Sequence, residues 1–123
     1  MLISIRPHRT WRPSIAIVAG RRRLPVATLL NPTFERALEA ADVALERVVD
    51  EGSFTLAGVR SARYRTYLAR PAQMRTYLEL INPPRPRFPR GGRARLEEMW
   101  KSAPRGARIE VAESLVVNAL RRR

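Results

Sequence analysis

NPTFERALEAADVALERVVDEG, residues 31–52, is the stretch on which the fold turns. Phe34, Ala37, Leu38, Ala41, Leu45 and Val48 recur at three- and four-residue steps, so they lie along one face of an amphipathic helix that runs to about Asp50. Pro32 suits the first turn, where a missing N–H costs nothing, and Asn31 or Thr33 offers a capping oxygen. Glu35 complements the positive end of the helix, and Gly52 marks its stop. A helix with one apolar stripe must bury that stripe against a second layer, so its neighbours in the chain decide the fold class.

Upstream, Ser14–Ala19 and Pro25–Leu30 are short runs rich in Ile, Val, Leu and Thr around Gly20-Arg21-Arg22-Arg23, which is a hairpin signal. Leu2–Arg6 adds a third strand, with Ile3 and Ile5 on one face and Ser4 and Arg6 on the other. Downstream, the alternation of Tyr64, Thr66 and Leu68 with Arg63, Arg65 and Tyr67 favours a strand within residues 53–68, paired with Phe54–Ala57 across Gly58. A helix with Val59, Arg63 and Tyr67 on one side stays open as the alternative. Pro71 opens a short helix through Met74, Leu78 and Ile81 that Asn82-Pro83-Pro84 ends.

Residues 83–95 hold four prolines, two glycines and five arginines around Phe88, the composition of an extended arm or linker. Two helices are expected after it, one over residues 94–102. The second carries Ile109, Ala112, Leu115, Val116, Ala119 and Leu120 as its stripe, with Glu110 and Glu113 early and Arg121–Arg123 late, in accord with the helix dipole. The expected class is α+β: a small antiparallel sheet packed by one amphipathic helix, an extended Arg/Pro arm, and C-terminal helices. The expected divisions are an α+β core over 1–82, the arm over 83–95 and a helical segment over 96–123.

Charge is the other dominant signal. Of 24 basic residues 23 are arginine, and against 11 acids they leave a net charge of +13. Such a charge opposes compaction by self-repulsion and is relieved by a polyanion. It is also segregated, with six acids in the 17 residues from Glu35 to Glu51, then five arginines and no acid from Gly52 to Leu78. The arginine-to-lysine ratio carries less weight, because a GC-rich coding sequence would produce it without regard to function.

A length of 123 residues suggests one domain with a modest core. The absence of cysteine excludes a disulfide framework and Cys-ligated zinc, and no apolar run is long enough for a transmembrane helix. The expected location is cytoplasmic, with a mitochondrial one as the alternative, because the first 34 residues carry six arginines and no acid. His8 is the sole histidine, and the carboxylates lie mostly on one helix face, so neither a nucleophile–base set nor a metal-ligand cluster can be composed. No glycine-rich phosphate loop is present. The expectation is a protein that is not an enzyme and uses no cofactor or metal.

Arginines and aromatics interleave at Arg9-Thr10-Trp11-Arg12, Arg63-Tyr64-Arg65-Thr66-Tyr67 and Arg87-Phe88-Pro89-Arg90. Guanidinium to phosphate with ring to base is the pairing that binds single strands and RNA loops. The candidate nucleic-acid-binding residues are therefore Arg9, Arg12, Arg21, Arg22, Arg23, Arg63, Arg65, Tyr67, Arg85, Arg87, Arg90, Arg93 and Arg95. The tetrapeptide Arg65-Thr66-Tyr67-Leu68 recurs as Arg75-Thr76-Tyr77-Leu78, and a single recurrence is read as coincidence.

Thr33-Phe34-Glu35-Arg36-Ala37-Leu38, with Ala41, Ala44, Leu45 and Gly52, resembles the sheet-to-helix passage of Hic-type antitoxins, which implies a partner toxin and promoter binding. The order of strands, basic turn and Ala-rich helix is similar to the arm-binding domains of tyrosine integrases, which implies DNA readout by a sheet. Each covers a minor part of the chain, and the proline-glycine turn of the antitoxins is absent, so the chain is assigned to neither family.

The expected function is non-catalytic binding of nucleic acid through arginine clusters, in a ribonucleoprotein setting. RNA stands ahead of DNA because the nearest helix-turn-helix candidate, Leu56–Leu68, lacks a suitable preceding helix. The alternatives are a structural subunit of a large assembly (ribosome, phage particle or organellar complex), with protein partners, and a small DNA-binding regulator or antitoxin.

Overall fold

The computed structural model describes all 123 residues, and the class is α+β. In chain order the elements are β1 (Leu2–Arg6), β2 (Ser14–Ala19), β3 (Arg22–Thr28), α1 (Pro32–Asp50), β4 (Phe54–Leu68), α2 (Gln73–Glu79), α3 (Gly92–Lys101) and β5 (Arg108–Arg122). The strands follow the order β1-β5-β2-β3, with β4 also paired to β5. No helix is long and apolar enough to cross a membrane.

The residues gather into two compact units that do not follow chain order. Unit 1 comprises Met1–Trp11, Pro32–Arg63 and Ser114–Arg123; unit 2 comprises Arg12–Asn31 and Tyr64–Glu113.

Unit 2 holds the dense core. Ile15 stands opposite Val111 and Ile17 opposite Ile109, and all four are at most 2 % exposed. Met74 and Leu78 of α2, Leu96 of α3, and Val26, Leu29 and Ala107 complete the cluster, with Phe88, Met99 and Trp100 packed at its edge. The β2–β3 hairpin turns through Gly20-Arg21, flanked by the pair Ala19 and Arg22. Gly20 has φ +58° at the first turn position, which a side chain would resist and which suits a two-residue hairpin. Pro25 lies inside β3, next to a bulge where Val26 has no partner on β2. A residue without an N–H is tolerated there because β3 ends the strand order and its ladder is already interrupted.

Unit 1 is built around α1, in which only Leu38 is buried; Phe34, Leu45 and Val48 are half-buried, and Ala37 and Ala41 are exposed. β1 pairs with the end of β5, Leu2 opposite Leu120 and Arg6 opposite Val116. The two faces of β1 are as alternation predicts, but the apolar one is open: Ile3 and Ile5 are 58 % and 66 % exposed. The polar face is the one engaged, because the Arg6 guanidinium donates through Nε to Asp42 Oδ1 of α1 at 2.8 Å and through Nη1 to Asn118 Oδ1.

Three expectations are corrected. Residues 108–122, expected as the terminal helix, form β5. Ile109, Val111, Leu115, Val117 and Ala119 also recur at steps of two or four, and β-branched residues satisfied by the backbones of β1 and β2 favour the strand. Residues 54–68 are one continuous strand through Gly58 rather than a hairpin across it. The Arg/Pro segment carries no helix or strand over 83–91, but it is fastened. Leu30 and Arg87 exchange backbone hydrogen bonds at 2.8 and 2.9 Å, and Asn31 Nδ2 donates to the Pro84 carbonyl at 2.9 Å. Its last four residues already belong to α3, which starts at Gly92. A Cβ there would meet Pro89 at 3.0 Å and the Phe88 ring at 3.2 Å, so glycine is required for this close approach.

Candidate nucleic-acid interface

The charge is divided unequally. Unit 1 has nine basic and six acidic residues, a net +3, whereas unit 2 has 15 basic and five acidic, a net +10.

Within unit 2, β5 places Arg108 and Glu110 on one face and the core residues Ile109 and Val111 on the other, because strand side chains alternate. Val18 stands opposite Arg108 on one side and opposite Arg23 of β3 on the other, so Arg23, Val18 and Arg108 form a row across three strands. β4 contributes Arg65 and Tyr67, two residues apart and hence on the same face.

Glu110 is the centre of this face. Its carboxylate, 6 % exposed, accepts from Arg23 Nε at 3.0 Å through Oε1, and Arg65 Nε lies 3.6 Å from Oε2. A buried carboxylate needs such partners, since desolvation without compensation costs several kcal/mol. Two guanidiniums on one carboxylate leave an excess of positive charge on half-exposed side chains, Arg23 at 44 % and Arg65 at 54 %. The Arg108 guanidinium lies 4.4 Å from the Tyr67 ring centroid, in cation–π contact, and Tyr67 is 44 % exposed.

Around Glu113 the phenols of Tyr64 and Tyr77 gather. Tyr77 Oη donates to Glu113 Oε2 at 2.9 Å. Burial first, then the Glu113 carboxylate, pushes the Tyr77 phenol well above its ordinary value, and the same causes push Tyr64 up to about 12. Both rings therefore remain neutral hydrogen-bond donors throughout the physiological range.

The other candidates are placed as follows. Arg21 and Arg22 stand exposed at the tip and start of the hairpin beside Arg23. Arg12 is exposed in unit 2. Arg85 Nε donates to the Ile81 carbonyl at 2.8 Å, Arg87 is held by its backbone, and the Arg93 guanidinium lies 5.5 Å from the Phe88 centroid. Arg90 and Arg95 are exposed on the same segment. Arg9 and Arg63 belong to unit 1 and are already engaged. Arg9 Nε lies 3.2 Å from Asp42 Oδ2, and Arg63 lies 4.4 Å from the centroid of Trp11, which also stacks on His8 at 4.4 Å.

Thus the structure brings together Arg23, Arg65 and Tyr67 from the expected set and disperses the remainder. It adds Arg108 and Glu110, which the strand β5 places on this face and the expected terminal helix, with Glu110 in its first turns, does not. The polar-apolar alternation Arg108-Ile109-Glu110-Val111 is the signal in the sequence that points to them. No protein-family model, no curated protein and no solved structure matches this chain.

Proposed function

We propose that the chain is a non-catalytic nucleic-acid-binding protein, with RNA ahead of DNA, that grips phosphate through unit 2 as a component of a ribonucleoprotein. The observation that carries this proposal is the convergence of Arg23, Arg65 and Arg108 from three strands beside an exposed tyrosine, in a unit of net charge +10. Guanidinium forks match phosphate bidentately, and a half-exposed ring offers a face to a base. RNA is favoured because the site sets a half-exposed aromatic ring beside arginines on strands, whereas duplex DNA is more often read by a helix in the major groove. Binding rather than catalysis fits the use of the carboxylates: Glu39, Asp42, Glu79, Glu98 and Glu110 are committed to ion pairs and Glu113 to Tyr77.

Fluorescence anisotropy of a labelled oligoribonucleotide across a salt series tests the proposal. Contact with about six phosphates gives a log–log slope near −4 on a single strand and near −5 on duplex DNA. No binding at low salt, or affinity that does not change with salt, overturns it.

One observation favours a second reading, that of a subunit of a larger assembly. Leu2, Ile3 and Ile5 of β1 are more than half exposed, which is costly for a strand that works alone in water. Light scattering on the purified protein at rising concentration, and identification of proteins that co-purify with it, separates this reading from the first.

A further inference from the structure

The interface proposed above carries more detail than its charge. Both guanidiniums approach Glu110 through Nε, Arg23 by a hydrogen bond at 3.0 Å and Arg65 as an ion pair at 3.6 Å, and their Nη donors make no hydrogen bond within the protein. Tyr67 stands one strand step of two residues, about 6.6 Å, from Arg65 on the same face. Arg108 lies over one face of the Tyr67 ring, and the residue is still 44 % exposed.

Resting on that reading, we propose that this face takes a single-stranded nucleotide step: one phosphate on the Nη edges of Arg23 and Arg65, and the neighbouring base on the open face of Tyr67. Glu110 is the positioning residue. It holds the forks before the ligand arrives, so the cost of ordering two arginines on binding is already met by the fold. Arg108 braces the ring. A duplex cannot use the site fully, because its bases are stacked inside and present no free face to the tyrosine.

Simple electrostatics and this proposal make opposite forecasts for one substitution. Glu110→Gln raises the net charge by one, which by charge alone tightens every polyanion. If Glu110 positions the forks, the same change weakens binding. The experiment uses the full-length protein with three probes: a short unstructured oligoribonucleotide, its duplex with a complementary strand, and inorganic polyphosphate, which has no bases. We expect the single strand to bind more tightly than the duplex.

Glu110→Gln is expected to weaken the single strand and polyphosphate about fivefold to tenfold, whereas Glu97→Gln on exposed α3, an equal change of charge, leaves them the same or slightly tighter. Tyr67→Ala is expected to lower the ratio of oligoribonucleotide to polyphosphate affinity about tenfold, the scale of one stacked base. Arg65→Lys, which keeps the charge and loses the fork, should weaken both probes and stands in for Glu110→Gln should that variant not fold. A preference for the duplex, an unchanged ratio in Tyr67→Ala, or equal tightening in Glu110→Gln and Glu97→Gln overturns the nucleotide-step proposal while leaving nucleic-acid binding in place. Failure of the wild-type protein to bind any of the three probes overturns both.

Discussion

Unit 2 and unit 1 solve the same problem, a sheet packed by helix, with different materials. In unit 2 the buried apolar residues of β5 are Ile109 and Val111, met by Ile15, Ile17, Met74 and Leu96, while the buried Glu110 between them faces the arginines. In unit 1 the buried residues of the same strand are Ser114, Asn118 and Leu120, and the contact with α1 runs through Arg6 and Asp42. Unit 2 is held by area removed from water; unit 1 relies far more on directed polar contacts. The better-packed unit is also the one that carries most of the charge, and self-repulsion in it is offset by burial.

Truncations should break this contrast most sharply. Leu96→Ala or Ile109→Ala, each at most 1 % exposed, should cost about 2–5 kcal/mol, because a cavity is left in a core that cannot collapse. Ile5→Ala on the open face of β1 should stay within about 0.5 kcal/mol. Urea denaturation measures both, and similar losses at the two sites would show that the open face is not solvated.

Arg6→Ala should come next, at about 2 kcal/mol. It removes a charged hydrogen bond to Asp42 and leaves Asn118, 5 % exposed, without its donor. In a double-mutant cycle with Asp42→Ala the losses should fall short of additive. Additivity would mean that unit 1 is held by something other than this pair.

Alkaline pH probes unit 2 alone. A phenol whose folded-state pKa lies above its unfolded value of 10 contributes stability that is present below pH 10 and is lost as pH rises through the folded-state value. Tyr64, at about 12, and Tyr77, raised further, should therefore weaken the fold above pH 10. Phenolate absorbance should show both ionising late. Glu113→Gln should bring them down only part of the way, since burial is the leading cause. Two transitions at the ordinary value in the wild-type protein would contradict this packing.

The smallest effect is expected at Arg75–Glu79, an i,i+4 pair on α2 with side chains 79 % and 62 % exposed. Glu79→Ala should change the denaturation midpoint by an amount equivalent to less than about 0.5 kcal/mol.

The limits of reading such a chain from its residues are shown by one tetrapeptide. Arg65-Thr66-Tyr67-Leu68 ends β4, and the identical Arg75-Thr76-Tyr77-Leu78 lies within α2. Local propensity is the same in both, so tertiary context decides: one copy has β5 beside it, and the other lies between Pro71 and the Asn82-Pro83-Pro84 stop. By contrast α1 was legible because its periodicity, first-turn proline and terminal glycine agree. The hairpin was legible from Gly20 between two β-rich runs, but its bounds were not: Arg22 and Arg23, expected in the connection, pair with Ala19 and Val18, and β3 runs over Arg22–Thr28 rather than from Pro25 to Leu30.

β5 misled because Ile109–Leu120 satisfies both the helical and the strand period, and only partners distant in the chain distinguish them. The interface inherited that error. Arg23, Arg65 and Tyr67 could be named from their own neighbourhoods, whereas Arg108 and Glu110 join them only once β5 is a strand.

Pro25 and the unpaired Val26 also matter for the behaviour of the protein in concentrated solution. A regular edge strand offers its row of backbone groups to strands of other molecules and so seeds fibrils. Along β3 that row lacks an N–H at Pro25 and falls out of step at Val26, and three arginines crowd its start. A strand of another molecule therefore finds no regular ladder along the whole of this edge.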